Sequence, residues 1–149
     1  EQEQMVHDII RRADTGGRRV SAIKDELGTV MNEKCAVFRT EAGLNEALEV
    51  VNRLKEEAAT ASIDDRGTVF NQDVLGAIEL GYMLDCAETI VLGALERRES
   101  RGAQYRTDFP ERNDEDWLKH IDISRNGGEP ELSYSPVTIT QWEPQERTY

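Results

Sequence analysis

The chain is organised around one charged stretch, which reads Arg98-Glu99-Ser100-Arg101-Gly102-Ala103-Gln104-Tyr105-Arg106-Thr107-Asp108-Phe109-Pro110 and then Glu111-Arg112-Asn113-Asp114-Glu115-Asp116-Trp117-Leu118-Lys119-His120. Arginines and carboxylates alternate through it, with aromatic residues set among them. Guanidinium groups match carboxylates bidentately and stack on aromatic rings. The composition therefore predicts a paired, partly buried network of charges, which follows the longest segment of the chain that has apolar residues at helical spacing.

Before this stretch, apolar residues recur at helical spacing in three long segments. The first predicted helix covers residues 19–37, the second follows Thr40, and the third runs from Gln72 to Arg101. A shorter amphipathic helix is predicted over residues 5–13. The positions of the third helix expected to face the core are Leu75, Ile78, Tyr82, Cys86, Ile90 and Leu95.

Residues at the predicted helix ends carry recognisable signals. Thr40 and Asn71 have the side chains that accept hydrogen bonds from amides in a first helical turn, so both are predicted N-caps. Phe70 and Leu75 are expected to form a hydrophobic staple across the Asn71 cap. Gly102 is predicted to end the third helix in a left-handed conformation.

The character of the chain changes after the third helix. Asn113 or Asp114 is expected to cap a short helix, and apolar alternation around a turn at residues 126–128 predicts a β-hairpin. An extended tail with Trp142 is expected to dock. The predicted fold is mainly α: an antiparallel three-helix bundle over residues 1–112, and an extension over 113–149 that packs as part of the same unit.

Composition excludes several classes of function. The chain has 149 residues, enough for one domain, and a formal charge of −12 that would repel nucleic acid and anionic membrane surfaces. We expect no inserted membrane segment, because no apolar run approaches the roughly 20 residues of a spanning helix. The start at Glu1 rather than Met is expected of a fragment or a processed product.

No residue pattern predicts catalysis, cofactor binding or metal binding. His7 and His120 lack the spacing of metal ligands or nucleophile partners, and no glycine-rich phosphate loop is present. The acidic pairs could in principle bind a divalent cation, but they lack a calcium-loop pattern, so solvation and capping are the better interpretation. Cys35 and Cys86 are expected to be small core residues, although a disulfide between them is possible.

The charged stretch resembles a family signature, R-x-E-S-R-G-A-H-x-R-x-D-(Y/F)-P-x-R-(D/N)-D-x-x-W-L-K-H, found near the end of the flavoprotein subunits of succinate dehydrogenase and fumarate reductase. Gln104 stands where that family usually has histidine. The segment from Met31 to Arg39 is similar to the family's M-x-x-x-x-x-V-F-R element. The tail is similar to its K-P-V-…-P-x-x-R-x-Y ending, here with Ser135 before the proline, so the resemblance covers about residues 20–149.

The resemblance implies a non-catalytic C-terminal helical domain that serves domain packing and subunit docking. The parent protein would interconvert succinate and fumarate through FAD and pass electrons to an iron–sulfur subunit. Its partners would be the preceding flavin-binding domain and that subunit, in a cytoplasmic complex peripheral on the inner membrane. Two alternatives stay open: the C-terminal domain of an L-aspartate oxidase-like flavoenzyme, and a free-standing helical interaction module.

The charged stretch itself allows two interpretations. Its arginines could grip a dicarboxylate, but the neighbouring acidic residues would neutralise them, which favours internal and interdomain salt bridging. The predicted members of this network are Arg98, Glu99, Arg101, Gly102, Tyr105, Arg106, Asp108, Pro110, Arg112, Asp114 and Trp117.

Overall fold

The computed structural model describes residues 2–11 and 17–145. Its elements, in chain order, are α1 (Gln2–Arg11), α2 (Val20–Lys34), β1 (Phe38–Arg39), α3 (Glu41–Ala59), α4 (Gln72–Glu96), β2 (Tyr105–Arg106), α5 (Asp114–Trp117), β3 (Lys119–Ser124) and β4 (Glu131–Pro136). Within those ranges, every helix is too short or too polar to cross a membrane. The predicted mainly α architecture, with a bundle and then a hairpin, is confirmed.

Helices α2, α3 and α4 form the antiparallel bundle. Ion pairs join the start of α2 to the end of α3, Arg18 to Glu57 at 2.7 Å, and the end of α2 to the start of α3, Lys34 to Glu46 at 2.6 Å. Helix α4 then runs back along α3 and parallel to α2, where Lys24 lies 3.1 Å from Glu79. Opposite-charge contacts at the rim thus accompany the apolar packing inside.

The core has two neighbouring parts. The larger lies between α2, α3, α4 and α1, and its side chains include Ile23, Val51, Leu54, Leu80 and Leu84. The smaller joins the far ends of the same helices through Val30, Cys35, Leu44, Ala47, Val91 and Ala94. Helix α1 contributes Ile9, so the predicted amphipathic helix near the start does pack on the bundle. Ala13, Thr15 and Gly16, which the sequence placed at its end, lie outside the described residues.

The face of α4 predicted to be buried is largely the wrong one. Tyr82 is 68% exposed and Ile90 51% exposed, and Leu75 and Cys86 are also exposed, whereas Ile78 is half-buried. The buried face instead carries Val74, Leu80, Leu84, Ala87, Val91 and Ala94. Helix α4 has apolar residues around its whole circumference, so periodicity alone could not distinguish the two faces.

Both predicted N-caps are confirmed. The Thr40 hydroxyl accepts from the Gly43 amide at 3.0 Å, and the Asn71 side chain accepts from the Val74 amide at 2.9 Å. The staple was wrong: Phe70 is 92% exposed and has a φ of 52°, so its ring points away from the helix that it precedes. Asn113, rather than Asp114, caps α5 by accepting from the Asp116 amide at 3.0 Å.

The predicted end of the third helix was also wrong. Helix α4 ends at Glu96, with Arg97 as its C-cap in an extended conformation. Gly102 has the expected positive φ, 61°, but it lies in a separate tight turn in which the backbones of Arg101 and Gln104 bond to each other in both directions. Beyond the helix, Arg97, Glu99, Ser100 and Arg101 supply side chains to the charged clusters described below.

The strands form two small sheets. The predicted hairpin is confirmed as antiparallel β3–β4, with Ile121 opposite Tyr134 and Ile123 opposite Leu132. A second pair was not predicted: β1 and β2 run parallel, with Phe38 opposite Tyr105.

The tail and the cysteines each differ in part from expectation. The tail is held at Gln145, whose carbonyl accepts from Arg112, but the ring of Trp142 is 80% exposed and does not anchor it. Residues 146–149 lie outside the described residues. Cys35 is buried as predicted, while Cys86 is exposed, and both thiols are free.

Candidate functional site: two arginine–carboxylate clusters

The Glu99 cluster surrounds a fully buried carboxylate. Glu99 accepts from Arg97 at 2.6 Å, from Arg101 at 2.6 and 3.0 Å, and from the Asn113 amide at 2.8 Å. Burial raises the pKa of Glu99, but these donors outweigh it and hold the pKa below its usual value. The carboxylate therefore stays ionised and ties the residues just after α4 to the start of α5.

Asp114 extends the Glu99 cluster outward. Arg112 donates to both of its oxygens, at 2.8 and 2.5 Å, and Arg101 donates to Oδ1 at 2.5 Å. Hydrogen bonds from these two guanidinium groups lower the pKa of Asp114 to about 2. Arg112 Nη1 donates to the Gln145 carbonyl at 2.7 Å, so the cluster also holds the tail.

Arg97 connects the Glu99 cluster to the hairpin. Its guanidinium donates to the carbonyls of Trp117 at 2.8 Å and Lys119 at 2.7 Å. The guanidinium lies 5.6 Å from the centre of the Trp117 ring, and the Lys119 ammonium lies 4.6 Å from the same ring. Cation–π contacts of this kind hold the indole at the junction of α5 and β3.

The Arg106 cluster is built on a fully buried guanidinium. Arg106 forms a bidentate pair with Asp108, at 2.8 and 2.9 Å, and its Nη1 donates to the Ala94 carbonyl at 2.8 Å and more weakly to Leu95 and Arg97. The last carbonyls of an α-helix have no partner within the helix and carry partial negative charge. Arg106 thus supplies the end of α4 with hydrogen bonds and a complementary charge.

Asp108 connects the Arg106 cluster to the start of α3. Its Oδ2 accepts from the Glu41 amide at 2.7 Å, where the helix dipole favours a negative charge. The hydrogen bond from Arg106, with that amide as a further donor, lowers the pKa of Asp108 to about 2. One ion pair therefore bridges the carboxyl end of α4 and the amino end of α3.

Ser100 and Gln104 hold the backbone around this ion pair. The Ser100 hydroxyl accepts from the Arg106 amide at 2.9 Å and donates to the Phe109 carbonyl at 2.9 Å. Gln104 accepts from Arg39 at 2.8 Å through Oε1 and donates to the Arg97 carbonyl at 3.3 Å. The amide at the position where the family usually has histidine thus joins the β1 segment to the end of α4 with a group that does not titrate.

The structure brings most of the predicted network residues together, but not all of them. Glu99, Arg101, Arg106, Asp108, Arg112, Asp114 and Trp117 belong to the two clusters. Arg98 is exposed and makes no ion pair or hydrogen bond through its side chain within the described part of the chain. Tyr105 and Pro110 are exposed, and Gly102 supplies a turn.

The predicted network left out four residues of the clusters: Arg97, Ser100, Gln104 and Arg39. Arg97 lies one position before the quoted stretch, and its contacts join residues that are 20 and 22 positions apart. The family resemblance gave a signal for all four, since its R-x-E-S-R-G-A-H and V-F-R elements cover positions 97, 100, 104 and 39.

The clusters are suited to holding backbone rather than to binding an anion. Each clustered arginine is engaged by a carboxylate, a carbonyl or both, which leaves little positive field for an incoming dianion. Among residues 2–11 and 17–145, no three His, Cys, Asp or Glu side chains converge in a way that could hold a metal ion.

A comparison with known protein families identifies the family of this chain. A family described as fumarate reductase flavoprotein C-term matches residues 24–149. The chain belongs to this family. The two charged clusters lie within the matched residues of this chain.

Individual relatives have names that agree with the family, and each match covers most of this chain. The fumarate reductase flavoprotein subunit of Haemophilus influenzae is 41% identical over 95% of this chain, and the succinate dehydrogenase flavoprotein subunit of Rickettsia conorii is 35% identical over 93%. The Escherichia coli quinol fumarate reductase structure superimposes with a TM-score of 0.87 at 35% identity, over 97% of this chain and 25% of that one. The chain spans about a quarter of the length of its curated relatives, 25% and 24% respectively.

Proposed function

We propose that the chain serves as the non-catalytic C-terminal helical domain of a succinate dehydrogenase or fumarate reductase flavoprotein subunit. The observation that carries the proposal is the family match over only a quarter of the relatives' length, together with arginines that are engaged by internal partners. The parent protein would interconvert succinate and fumarate through FAD. It would pass electrons to an iron–sulfur subunit.

The role of the domain is to provide a rigid body on which other parts of the complex dock. Residues 1–112 and 113–149 act as one unit in this proposal, because Arg97 and Arg125 both reach across. Arg125 at the hairpin pairs with Glu88 on α4, and Glu88 also pairs with Lys55 on α3 at 2.8 Å. The docking partners are the flavin-binding domain and the iron–sulfur subunit, in a complex peripheral on the cytoplasmic face of the inner membrane.

A chimera tests this function. The chain would replace the C-terminal quarter of the Haemophilus influenzae fumarate reductase flavoprotein subunit, and the same subunit without that quarter would be the control. We expect the chimera to retain bound flavin and fumarate reduction, and the truncated control to lose fumarate reduction. Dye-linked succinate or fumarate turnover by the 149-residue chain alone would contradict the non-catalytic assignment.

A further inference from the structure

The face of α4 that points away from the core is apolar and exposed. Leu75, Tyr82, Met83, Cys86 and Ile90 lie along it, and Met31 of α2 borders it. We call these six residues the α4 strip. From Leu75 to Ile90 the strip is about 22 Å long at the rise of an α-helix. Gly28 of α2 lies beside it with open space where a side chain would stand, which leaves a shallow groove between the two helices.

A surface helix that faces water normally has a polar outer face, as α3 does with Asn45, Glu49, Asn52 and Glu56 exposed. Helix α4 differs because it is apolar on both faces, a pattern typical of a helix buried on all sides. Contiguous exposed apolar surface of this kind marks an interaction site. The second face of α4 is therefore built to be covered.

Charge indicates what kind of surface covers the strip. The chain carries a formal charge of −12, yet the groove is lined by a single charged residue, Glu79, which is paired with Lys24. A partner recognised by charge would dock elsewhere on this acidic protein. The strip is suited to bind a second apolar surface permanently, because permanent interfaces are more hydrophobic than transient ones.

The position of α1 indicates where that surface comes from. Helix α1 packs against α4, and Met5 and Ile9 share a groove with Tyr82, which is also part of the strip. In relatives four times as long, in which this domain is described as C-terminal, the preceding polypeptide would enter through α1 and so beside the strip. A tethered surface beside the strip would bind at a high effective concentration.

We propose that the α4 strip is the surface on which the preceding, flavin-binding part of the same polypeptide docks. This inference rests on the proposed function and adds to it the location of the domain interface. A second copy of the chain and the iron–sulfur subunit are the competing occupants.

The test uses a named probe, the Haemophilus influenzae fumarate reductase flavoprotein subunit without its C-terminal quarter, tagged and co-expressed with this chain. We expect the wild-type chain to co-purify with the probe, and Ile90→Asp and Tyr82→Asp each to reduce the recovered ratio about tenfold or more, because each leaves a charge unpaired in an apolar interface. Val69→Asp is the matched control, since Val69 is an exposed aliphatic residue outside the strip. Thermal melting of each variant alone should match the wild type.

The outcomes separate the two proposals. Full recovery of Ile90→Asp and Tyr82→Asp with the probe would overturn the strip as the docking surface and leave the proposed function standing. If the wild-type chain did not bind the probe but formed a dimer, and Ile90→Asp abolished that dimer, the inference would be overturned in favour of a second copy. Loss of recovery only when the iron–sulfur subunit is omitted would overturn it in favour of that subunit. Failure of the wild type to bind under every condition would count against the proposed function as well.

Discussion

At the scale of single residues, the fold depends on two charges that are completely removed from water, Glu99 and Arg106. A buried charge is tolerated only when partners replace its hydration. Glu99 receives four hydrogen bonds from two arginines and one backbone amide, and Arg106 is paired with Asp108 and with the carbonyls at the end of α4. Each is therefore a point at which one substitution should have a large effect.

Arg106→Ala should destabilise the chain by about 3 kcal/mol, since removing one member of a buried pair leaves the other charge and the helix carbonyls without partners. Urea denaturation followed by circular dichroism measures the change. Arg98→Ala is the matched control, because Arg98 is exposed and outside both clusters, and it should cost under about 0.5 kcal/mol. Equal midpoints for the two variants would show that the Arg106 cluster contributes little.

The depressed pKa of Asp108, about 2, predicts how stability depends on acid. A carboxyl group whose pKa is lower in the folded than in the unfolded chain stabilises the fold fully above its unfolded pKa of about 4, and that contribution is lost as pH falls toward 2. The melting temperature should fall between pH 4 and pH 2, and less steeply in Asp108→Asn. Glu129→Gln, which removes an exposed carboxylate, should keep the wild-type slope. An unchanged slope in Asp108→Asn would argue against the Arg106 pair as its cause.

At the scale of elements, α4 is the centre of the domain because it contacts α1, α2, α3 and β3. One face fills both parts of the core, its carboxyl end receives Arg106, and its other face forms the α4 strip. The loop before it is held by Asn71, whose side-chain amide donates to the Asp65 carbonyl at 2.7 Å and the Gly67 carbonyl at 2.8 Å. The two faces and the two ends of one helix thus have separable roles.

Substitutions on the two faces of α4 should differ sharply. Leu84 is fully buried, so Leu84→Ala should cost about 2–5 kcal/mol, whereas Ile90→Ala on the exposed face should cost under about 0.5 kcal/mol. Both replace a large aliphatic side chain with the same residue on the same helix, so each serves as the control for the other. Denaturant midpoints of the isolated chain give the comparison. A large loss for Ile90→Ala would mean that the strip is packed in solution.

The two N-caps should also differ in cost. Thr40→Ala removes the cap bond to Gly43 and should cost about 1 kcal/mol. Asn71→Ala removes a similar cap bond and also the two bonds to the preceding loop, so we expect about 2 kcal/mol. Thermal melting of the two variants ranks their losses of stability. If Thr40→Ala were the more damaging, the loop bonds of Asn71 would not contribute to stability.

At the scale of the whole molecule, the charged clusters join segments that are distant in sequence. Asp108 reaches Glu41 across 67 positions, and Arg112 reaches Gln145 across 33. The ends of the bundle, the hairpin and part of the tail are thereby held together, while the apolar α4 strip stays open.

The isolated chain should not bind flavin, since it has no glycine-rich dinucleotide fingerprint to hold the phosphates. After incubation with FAD and gel filtration, the protein fraction should have no absorbance in the visible flavin bands. The chimera described above provides the positive control, because it carries the relative's own flavin-binding region. Stoichiometric flavin on the isolated chain would overturn the assignment of cofactor binding to the rest of the parent protein.

Local chemistry in the sequence determined much of this structure. Helical periodicity located α2, α3 and α4, the short polar residues Thr40 and Asn71 marked two helix starts, and alternation around glycines located the hairpin. Such signals act between residues that are close in sequence, so they do not depend on the contacts that distant parts of the chain make. The charged stretch also predicted that arginines and carboxylates would pair, and most of its members do.

Only the tertiary structure decided which face of α4 is buried, where α4 ends and how β1 meets β2. Helix α4 is apolar all round, so the choice of face depended on which side α2 and α3 occupy. Its end at Glu96 depends on Arg106, which arrives from beyond a turn, and the pairing of Phe38 with Tyr105 spans 67 positions. These features follow from contacts between distant segments, whose partners no local pattern identifies because many pairings satisfy the same short-range preferences.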